Sequence, residues 1–163
     1  MDRRGADVKG LSHYDDSGSA RMVDVSGKPS TPRTARAHAF VRMSAAVLDQ
    51  LPKNPKGNPL EIARIAGISA AKRTWDLIPM CHPLALSHVD VEVVRRETGV
   101  EIVSRVSTTG PTGVEMEALT AASIAALTVY DMTKALDKTM EIQDLYLLEK
   151  AGGQSGSFQR RER

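Results

Sequence analysis

The sequence has one cysteine, few aromatic residues and no long apolar segment. Cys81 is the only cysteine among 163 residues, and aromatic residues make up 4% of the chain. A single cysteine excludes an intrachain disulfide and a structural zinc site built from several thiolates. The longest weakly polar run, 118–129, is shorter than the roughly 20 residues that span a bilayer. Because the beginning of the chain also lacks an apolar signal-peptide core, we expect a cytoplasmic protein with no membrane partner.

The charge balance gives little reason to expect a nucleic-acid partner. The chain has 22 basic and 20 acidic residues, and much of the small excess is terminal arginine rather than a basic face. A hydrophobic content of 41% and a charged content of 26% are typical of a globular domain. We expect one catalytic domain over 21–150, flanked by flexible tails at 1–20 and 151–163 that are rich in Gly, Ser and charge.

Periodicity and capping residues predict an α+β fold. Apolar alternation is typical of strands, and the strings Asn58-Pro59-Leu60-Glu61 and Thr112-Gly113-Val114-Glu115 are typical helix starts. The predicted elements are a strand from Ala35 to Met43, a short helix from Ser44 to Leu51, a helix from Asn58 to about Leu77, a hairpin around 89–93 and 100–106, a helix from Thr112 to Lys138, and a strand from Met140 to Lys150. This order predicts a ferredoxin-like split βαβ fold, with two main helices on one face of an antiparallel sheet.

Two polar side chains lie where prolines restrict the backbone. Lys56 lies in the loop 52–59, and an ammonium group held there could bind phosphate or donate a proton. His82 lies between Pro79 and Pro83, which limit where its imidazole can point. A solvated loop lysine and a purely structural histidine are the alternatives.

The pair Cys81-His82 predicts no metal site. Tetrahedral zinc needs further ligands, and the sequence has no CxxC or HxxxH spacing. Adjacent residues in an extended segment point to opposite sides, so His82 is badly placed to activate Cys81 as a nucleophile. We expect an inert, packed Cys81 and no metal.

A carboxylate falls on the apolar stripe of the second long helix. Asp131 continues a helical stripe that includes Ile124 and Leu127, and Lys134 follows one turn later. Desolvation and a neighbouring ammonium group are what tune the pKa of a catalytic acid or base. An ordinary ion pair near the helix end is the alternative.

Two glutamates lie at the start of the same helix. Glu115 has a structural explanation as the capping partner of Thr112, whereas Glu117 has none and is the better functional candidate. Both would repel a phosphate from the loop 109–113, which disfavours a phosphate cradle there. Glu117 and Asp131 are 14 residues apart, roughly 21 Å along a helix. If both are functional, the site is either long or assembled between subunits of an obligate oligomer.

From Met22 to Gly156 the chain resembles the cyclic pyranopterin monophosphate synthase (MoaC) family of molybdenum cofactor biosynthesis. The resemblance rests on four strings in order: MVDVSGK at 22–28, ARIAGISAAKRTWDLIPMCHPL at 63–84, TGPTGVEMEALTAASIAALTVYDMTKAL at 109–136 and LLEKAGGQSG at 147–156. It implies conversion of 3',8-cyclo-7,8-dihydroguanosine 5'-triphosphate to cyclic pyranopterin monophosphate with loss of diphosphate. It also implies a homohexamer of three dimers without a cofactor.

The resemblance assigns roles to particular residues. It implies a catalytic aspartate at Asp131 and essential lysines at Lys56 and Lys134. The implied substrate-binding residues are Met80, Cys81, His82, Met116 and Glu117, together with Arg33 and Lys150. We also expect Glu115 to bind the substrate. The chain departs from the family pattern at Asn58, where Asp is usual, at Thr133, where Cys is common, and at Gln154, where Lys is common. The last departure puts a phosphate-binding role of the tail in doubt.

A non-catalytic nucleotide- or RNA-binding module is the alternative function. Ferredoxin-like sheets often bind RNA by stacking bases on aromatic side chains, and this chain has only two Phe and one Trp. Binding to an RNA module would depend steeply on salt, whereas the enzyme would bind GTP-like molecules and ignore RNA.

Overall fold

The computed structural model describes His13 and residues 17–161, which form five strands and four α-helices around one sheet. In chain order the elements are β1 (Thr31–Arg42), α1 (Ala45–Gln50), a 3-10 turn (Leu51–Lys53), α2 (Pro59–Lys72), α3 (Thr74–Leu77), β2 (Leu86–Arg96), β3 (Gly99–Gly110), α4 (Glu115–Thr133), β4 (Glu141–Ala151) and β5 (Phe158–Gln159). No helix in the described part of the chain is long and apolar enough to cross a membrane.

The sheet confirms the predicted ferredoxin-like topology. Its strand order is β2-β3-β1-β4-β5, and every pairing is antiparallel. The central strand β1 pairs with β3 along its whole length, from Thr31 opposite Gly110 to Arg42 opposite Gly99. The two long helices α2 and α4 connect strands that are not neighbours, so both cover the same face.

Small side chains allow the helices to pack closely on the sheet. The inner face of β1 consists of Ala35, Ala37, Ala39 and Val41, all at most 1% exposed. The facing side of α4 is equally small and fully buried; its members are Ala118, Ala121, Ala122, Ala125 and Ala126. The core therefore depends on close backbone approach rather than on large aromatic groups.

The start of α2 forms as its sequence predicts. Asn58 is the N-cap, and its Oδ1 accepts hydrogen bonds from the backbone N–H groups of Leu60 at 3.0 Å and Glu61 at 3.4 Å. Pro59 occupies the first helical position, where its missing N–H leaves no donor unsatisfied. Ser44 caps α1 in a similar way, through the N–H of Val47.

Several predicted boundaries are wrong. The strand β1 begins at Thr31 rather than Ala35, and the helix expected to run from Asn58 to Leu77 breaks at Arg73. The hydroxyl of Thr74 donates to the carbonyl groups of the preceding turn, which competes with regular helix geometry at this point. The helix α4 ends at Thr133 rather than Lys138.

The predicted Thr112 capping box is also wrong. The N-cap of α4 is Val114, with no side-chain capping bond, and the helix begins at Glu115. The structural explanation of Glu115 as a capping partner therefore disappears.

At the other end of the chain, Phe158 and Gln159 pair with Lys150 and Glu149 of β4, within the segment expected to be flexible. Most of the tail expected at 1–20 lies outside the described residues.

Candidate functional site

A cavity of about 300 Å³ lies at the N-terminal end of α4. Its walls come from the segment before β2, from the loop and first turn of α4, and from the extended segment before β1. Six residues that were expected to bind the substrate line this cavity: Met80, Cys81, His82, Glu115, Met116 and Glu117. The fold thus brings together residues that are more than 30 positions apart in the sequence.

Glu117 is the most perturbed ionisable group of this cavity. Its side chain belongs to the buried residues, at 4% exposure. Burial, which penalises the charged form, raises its pKa from the ordinary 4.5 to about 7, and the nearby Glu115 charge adds to the effect. A carboxyl group with this pKa is partly protonated at neutral pH, so it can both donate and accept a proton.

Glu115 turns back across the loop that precedes α4. Gly113 lies so close to the Glu115 carboxylate that a Cβ atom at position 113 would overlap it. The other side of the carboxylate faces Lys150, whose Nζ is 3.8 Å from Glu115 Oε1. Lys150 also contacts the hydroxyl of Ser155 in the turn after β4. Lys150 therefore adds an ammonium group beside the cavity.

His82 holds the segment before β1 against the cavity. The Nε2–H of His82 donates to the carbonyl oxygen of Val23 at 2.7 Å, so the imidazole has a structural contact as well as a position in the cavity wall. Residues Val23, Val25 and Lys28 line the cavity as a result. No sequence pattern predicted a role for these three residues, although they belong to the string MVDVSGK on which the family resemblance partly rests.

Cys81 is half-buried beside Glu117. Burial and the Glu117 charge both raise the pKa of its thiol above the ordinary value. The thiol form is therefore favoured, which agrees with an inert cysteine. Among the described residues, no group of three or more His, Cys, Asp or Glu side chains is placed to hold a metal ion.

A second cluster lies at the C-terminal end of α4 and consists of Asp131, Lys134 and Lys56. The Lys134 Nζ is 2.6 Å from Asp131 Oδ1, and the Lys56 Nζ is 3.5 Å from the carbonyl oxygen of Asp131. The hydrogen bond and charge of Lys134 lower the pKa of Asp131, and Lys56 adds to this; the same pair raises the pKa of Lys134. All three side chains are exposed, so the desolvation expected for Asp131 is not present within one chain.

Arg33 lies near the cavity but is not among the residues that line it. Its Nη2 donates to the carbonyl oxygen of Pro111 at 3.4 Å. The turn after β4 packs on the guanidinium: Gly152 and Gly153 have left-handed φ angles of 97° and 81°, and a Cβ atom at Gly153 would overlap the Arg33 side chain. Arg33 therefore joins β1 to both loops at this end of the sheet.

The two clusters are not brought together within one chain. Glu117 and Asp131 lie on the same unbroken helix, separated by roughly 21 Å at 1.5 Å per residue. Between them, the stripe that contains Asp131 is open to solvent, since Leu127 is 52% exposed and Ile124 is half-buried. The apolar stripe predicted from sequence is therefore surface rather than core.

The fold and the two clusters define a ferredoxin-like protein whose ionisable groups are of the types that acid–base enzymes use: a buried carboxyl group with a raised pKa, an imidazole and several ammonium groups. Comparison with known sequences makes this more specific. A family profile described as the MoaC family matches residues 22–153, and the chain belongs to that family. The cyclic pyranopterin monophosphate synthase of Novosphingobium aromaticivorans is 54% identical over 154 residues, which cover 93% of this chain and 98% of that relative.

Proposed function

We propose that this chain converts 3',8-cyclo-7,8-dihydroguanosine 5'-triphosphate to cyclic pyranopterin monophosphate and diphosphate, as a phosphorus–oxygen lyase of molybdenum cofactor biosynthesis. The observation that carries the proposal is the 54% identity to a synthase of that name over nearly the full length of both chains. The chemistry of the two clusters agrees with it. Opening one ring and closing another requires proton transfers at several atoms, and the triphosphate requires cations.

The groups at the two ends of α4 suit different parts of this reaction. The cavity offers Glu117, which can gain or lose a proton near neutral pH, and the fixed imidazole of His82. At the other end, Asp131 stays ionised beside Lys134 and Lys56. In our proposal Asp131 shuttles protons, while the two lysines neutralise phosphate charge and acidify donors. At the cavity end, Lys150 supplies a further ammonium group that neutralises negative charge.

The active site is completed by a second copy of the chain. A separation of roughly 21 Å is too large for groups at both ends of α4 to act on the same reacting atoms. The exposed stripe around Leu127 gives α4 an apolar surface between the two clusters. Packing of two copies across such surfaces would bring the cavity of one against Asp131 of the other and would desolvate that carboxylate. The homohexamer of three dimers implied by the resemblance has the symmetry for this arrangement.

The activity is tested directly with the purified chain and the cyclic dihydroguanosine triphosphate. We expect equal amounts of cyclic pyranopterin monophosphate and diphosphate, measured by mass spectrometry and by a coupled diphosphate assay. A folded chain that releases neither product would refute the proposed function. Salt-sensitive binding of RNA oligonucleotides by such an inactive chain would favour the RNA-binding alternative instead.

The shared site is tested by mixing two variants that are defective at opposite ends of α4. Copies with Glu117→Gln and copies with Asp131→Asn, carrying different affinity tags, are co-expressed, and the mixed oligomers are purified through both tags. If each site combines one cavity with the Asp131 cluster of a neighbour, random mixing restores up to about a quarter of the sites. Mixed oligomers no more active than either variant alone would place both ends of the site within one chain.

A further inference from the structure

The chain has only two asparagines, Asn54 and Asn58, and they lie on either side of Lys56. Asparagine side chains commonly stabilise loops by bonding to nearby backbone groups. Asn58 does so locally, because it caps α2 through its own N-terminal turn. Asn54 differs, since its side chain bonds both to the loop and to a distant helix.

The side chain of Asn54 connects the Lys56 loop to the end of α4. Its Nδ2 donates to the carbonyl oxygen of Met132 at 2.8 Å, and its Oδ1 accepts from the backbone N–H of Lys56 at 2.9 Å. Met132 lies in the last turn of α4, where carbonyl groups have no partner within the helix and accept bonds from elsewhere. One half-buried amide therefore joins Lys56 to the residue next to Asp131.

The backbone around Asn54 supports the same geometry. The carbonyl oxygen of Asn54 accepts from the N–H of Gly57 at 3.1 Å, which closes a tight turn around Lys56. Gly57 has a φ of 105°, a left-handed conformation that glycine adopts without strain. The Lys56 ammonium itself lies 3.5 Å from the carbonyl oxygen of Asp131. Both hydrogen bonds of the Asn54 side chain, at 2.8 Å and 2.9 Å, are shorter than this contact.

We propose that Asn54 is a positioning residue for the reaction: its side chain holds the backbone of Lys56 against the C-terminal turn of α4, and this places the lysine ammonium beside Asp131. This inference rests on the proposed function for its effect on turnover. A lysine side chain has four rotatable bonds, so a fixed backbone position is what limits where the charge can lie. A displacement of about 1 Å in a catalytic group can reduce a rate by as much as 100-fold.

The test is a double-mutant cycle with a matched stability control. We expect Asn54→Ala to lower kcat/KM by roughly 10-fold to 100-fold, and to have less than about a threefold effect in chains that already carry Lys56→Ala. The control is Asn58→Ala, which removes an asparagine side chain from the same loop but no bond to α4. It should lower thermal stability while kcat/KM of the folded protein stays within about threefold.

A second measurement does not depend on activity. Hydrogen exchange of the Lys56 amide should become faster in Asn54→Ala than in Asn58→Ala, because only Asn54 accepts that hydrogen bond. Equal losses of activity with and without Lys56, or activity that simply follows stability in both asparagine variants, would overturn the inference. If the wild-type chain is inactive, the proposed function fails, and the exchange comparison alone still decides whether Asn54 fixes the loop.

Discussion

Glu117 makes the stability of the fold depend on pH. It is buried at the N-terminal end of α4, where Glu115 adds a like charge and Cys81, His82 and Met116 form the surrounding wall. The folded state therefore holds the Glu117 proton more tightly than the unfolded chain does. Replacement by glutamine keeps the shape of the side chain and removes the ionisation, so Glu117→Gln isolates this effect.

The size and sign of the effect of Glu117 on folding stability follow from the linkage between proton binding and folding. A raised pKa means that the folded state binds more protons than the unfolded state between the two pKa values, so stability falls as pH rises through this window. The window runs from 4.5 to about 7. One pKa unit corresponds to about 1.4 kcal/mol, so wild type loses about 3 kcal/mol of stability by the time the pH reaches about 7. Below pH 4.5 both states are protonated and the penalty vanishes.

The assay is urea unfolding of wild type and Glu117→Gln at a fixed protein concentration, in steps from pH 4.5 to pH 8.5. We expect the variant to gain stability relative to wild type as pH rises, by up to about 3 kcal/mol above pH 7. The exposed Glu97, in the turn between β2 and β3, provides the control Glu97→Gln. That change should leave the pH dependence of wild type unaltered.

A stability difference between wild type and Glu117→Gln that stays constant with pH, or one that shrinks as pH rises, would refute this reasoning.

The ionisation of Glu117 should also affect catalysis. If Glu117 exchanges protons with the substrate, the pH profile of kcat/KM should contain a transition near pH 7 that Glu117→Gln removes. A wild-type profile that is flat across this range would separate the burial of Glu117 from the chemistry.

Two further predictions concern the other end of α4. Asp131→Asn should lower turnover by roughly 10² to 10⁴, the usual effect of removing a general acid or base. Circular dichroism should stay close to wild type, because asparagine keeps the size and shape of aspartate. Near-normal turnover would exclude Asp131 from the mechanism. Lys56→Ala should weaken substrate binding and lower turnover, whereas Lys53→Ala, at an exposed lysine three residues earlier, should do neither. Equal effects of the two changes would mean that Lys56 contributes only general positive charge.

Local sequence patterns predicted the fold because they report directly on backbone geometry. The alternation in β1 is typical of a strand, and the asparagine cap of α2 is typical of a helix start. The order of the elements then allows few ways to connect the strands in one sheet. The pattern at Thr112 misled because the loop before α4 uses Gly113 to admit the Glu115 carboxylate, so the capping box is replaced by a contact with Lys150. A motif of four residues contains no information about such a partner.

The composition of the cavity could be predicted only through the family resemblance. Periodicity does not indicate that the segment around His82 and the first turn of α4 face each other, and it gave no role to Lys28. The imidazole-to-backbone bond that draws the segment before β1 over the cavity joins residues 59 positions apart. Contacts of this kind depend on the three-dimensional path of the chain, which local propensity does not specify.

The rigidity of α4 explains why the proposed site needs two copies. A regular helix fixes the distance between its ends, so no rearrangement of side chains can bring Glu117 to Asp131 within one chain. In this chain Glu117 and Asp131 lie near the two ends of one helix, and Leu127 is exposed between them. In a paired assembly the same helix serves two sites, because its first turn belongs to one cavity and its last turn to the neighbouring cavity. Loss of assembly should therefore abolish activity even when each chain stays folded.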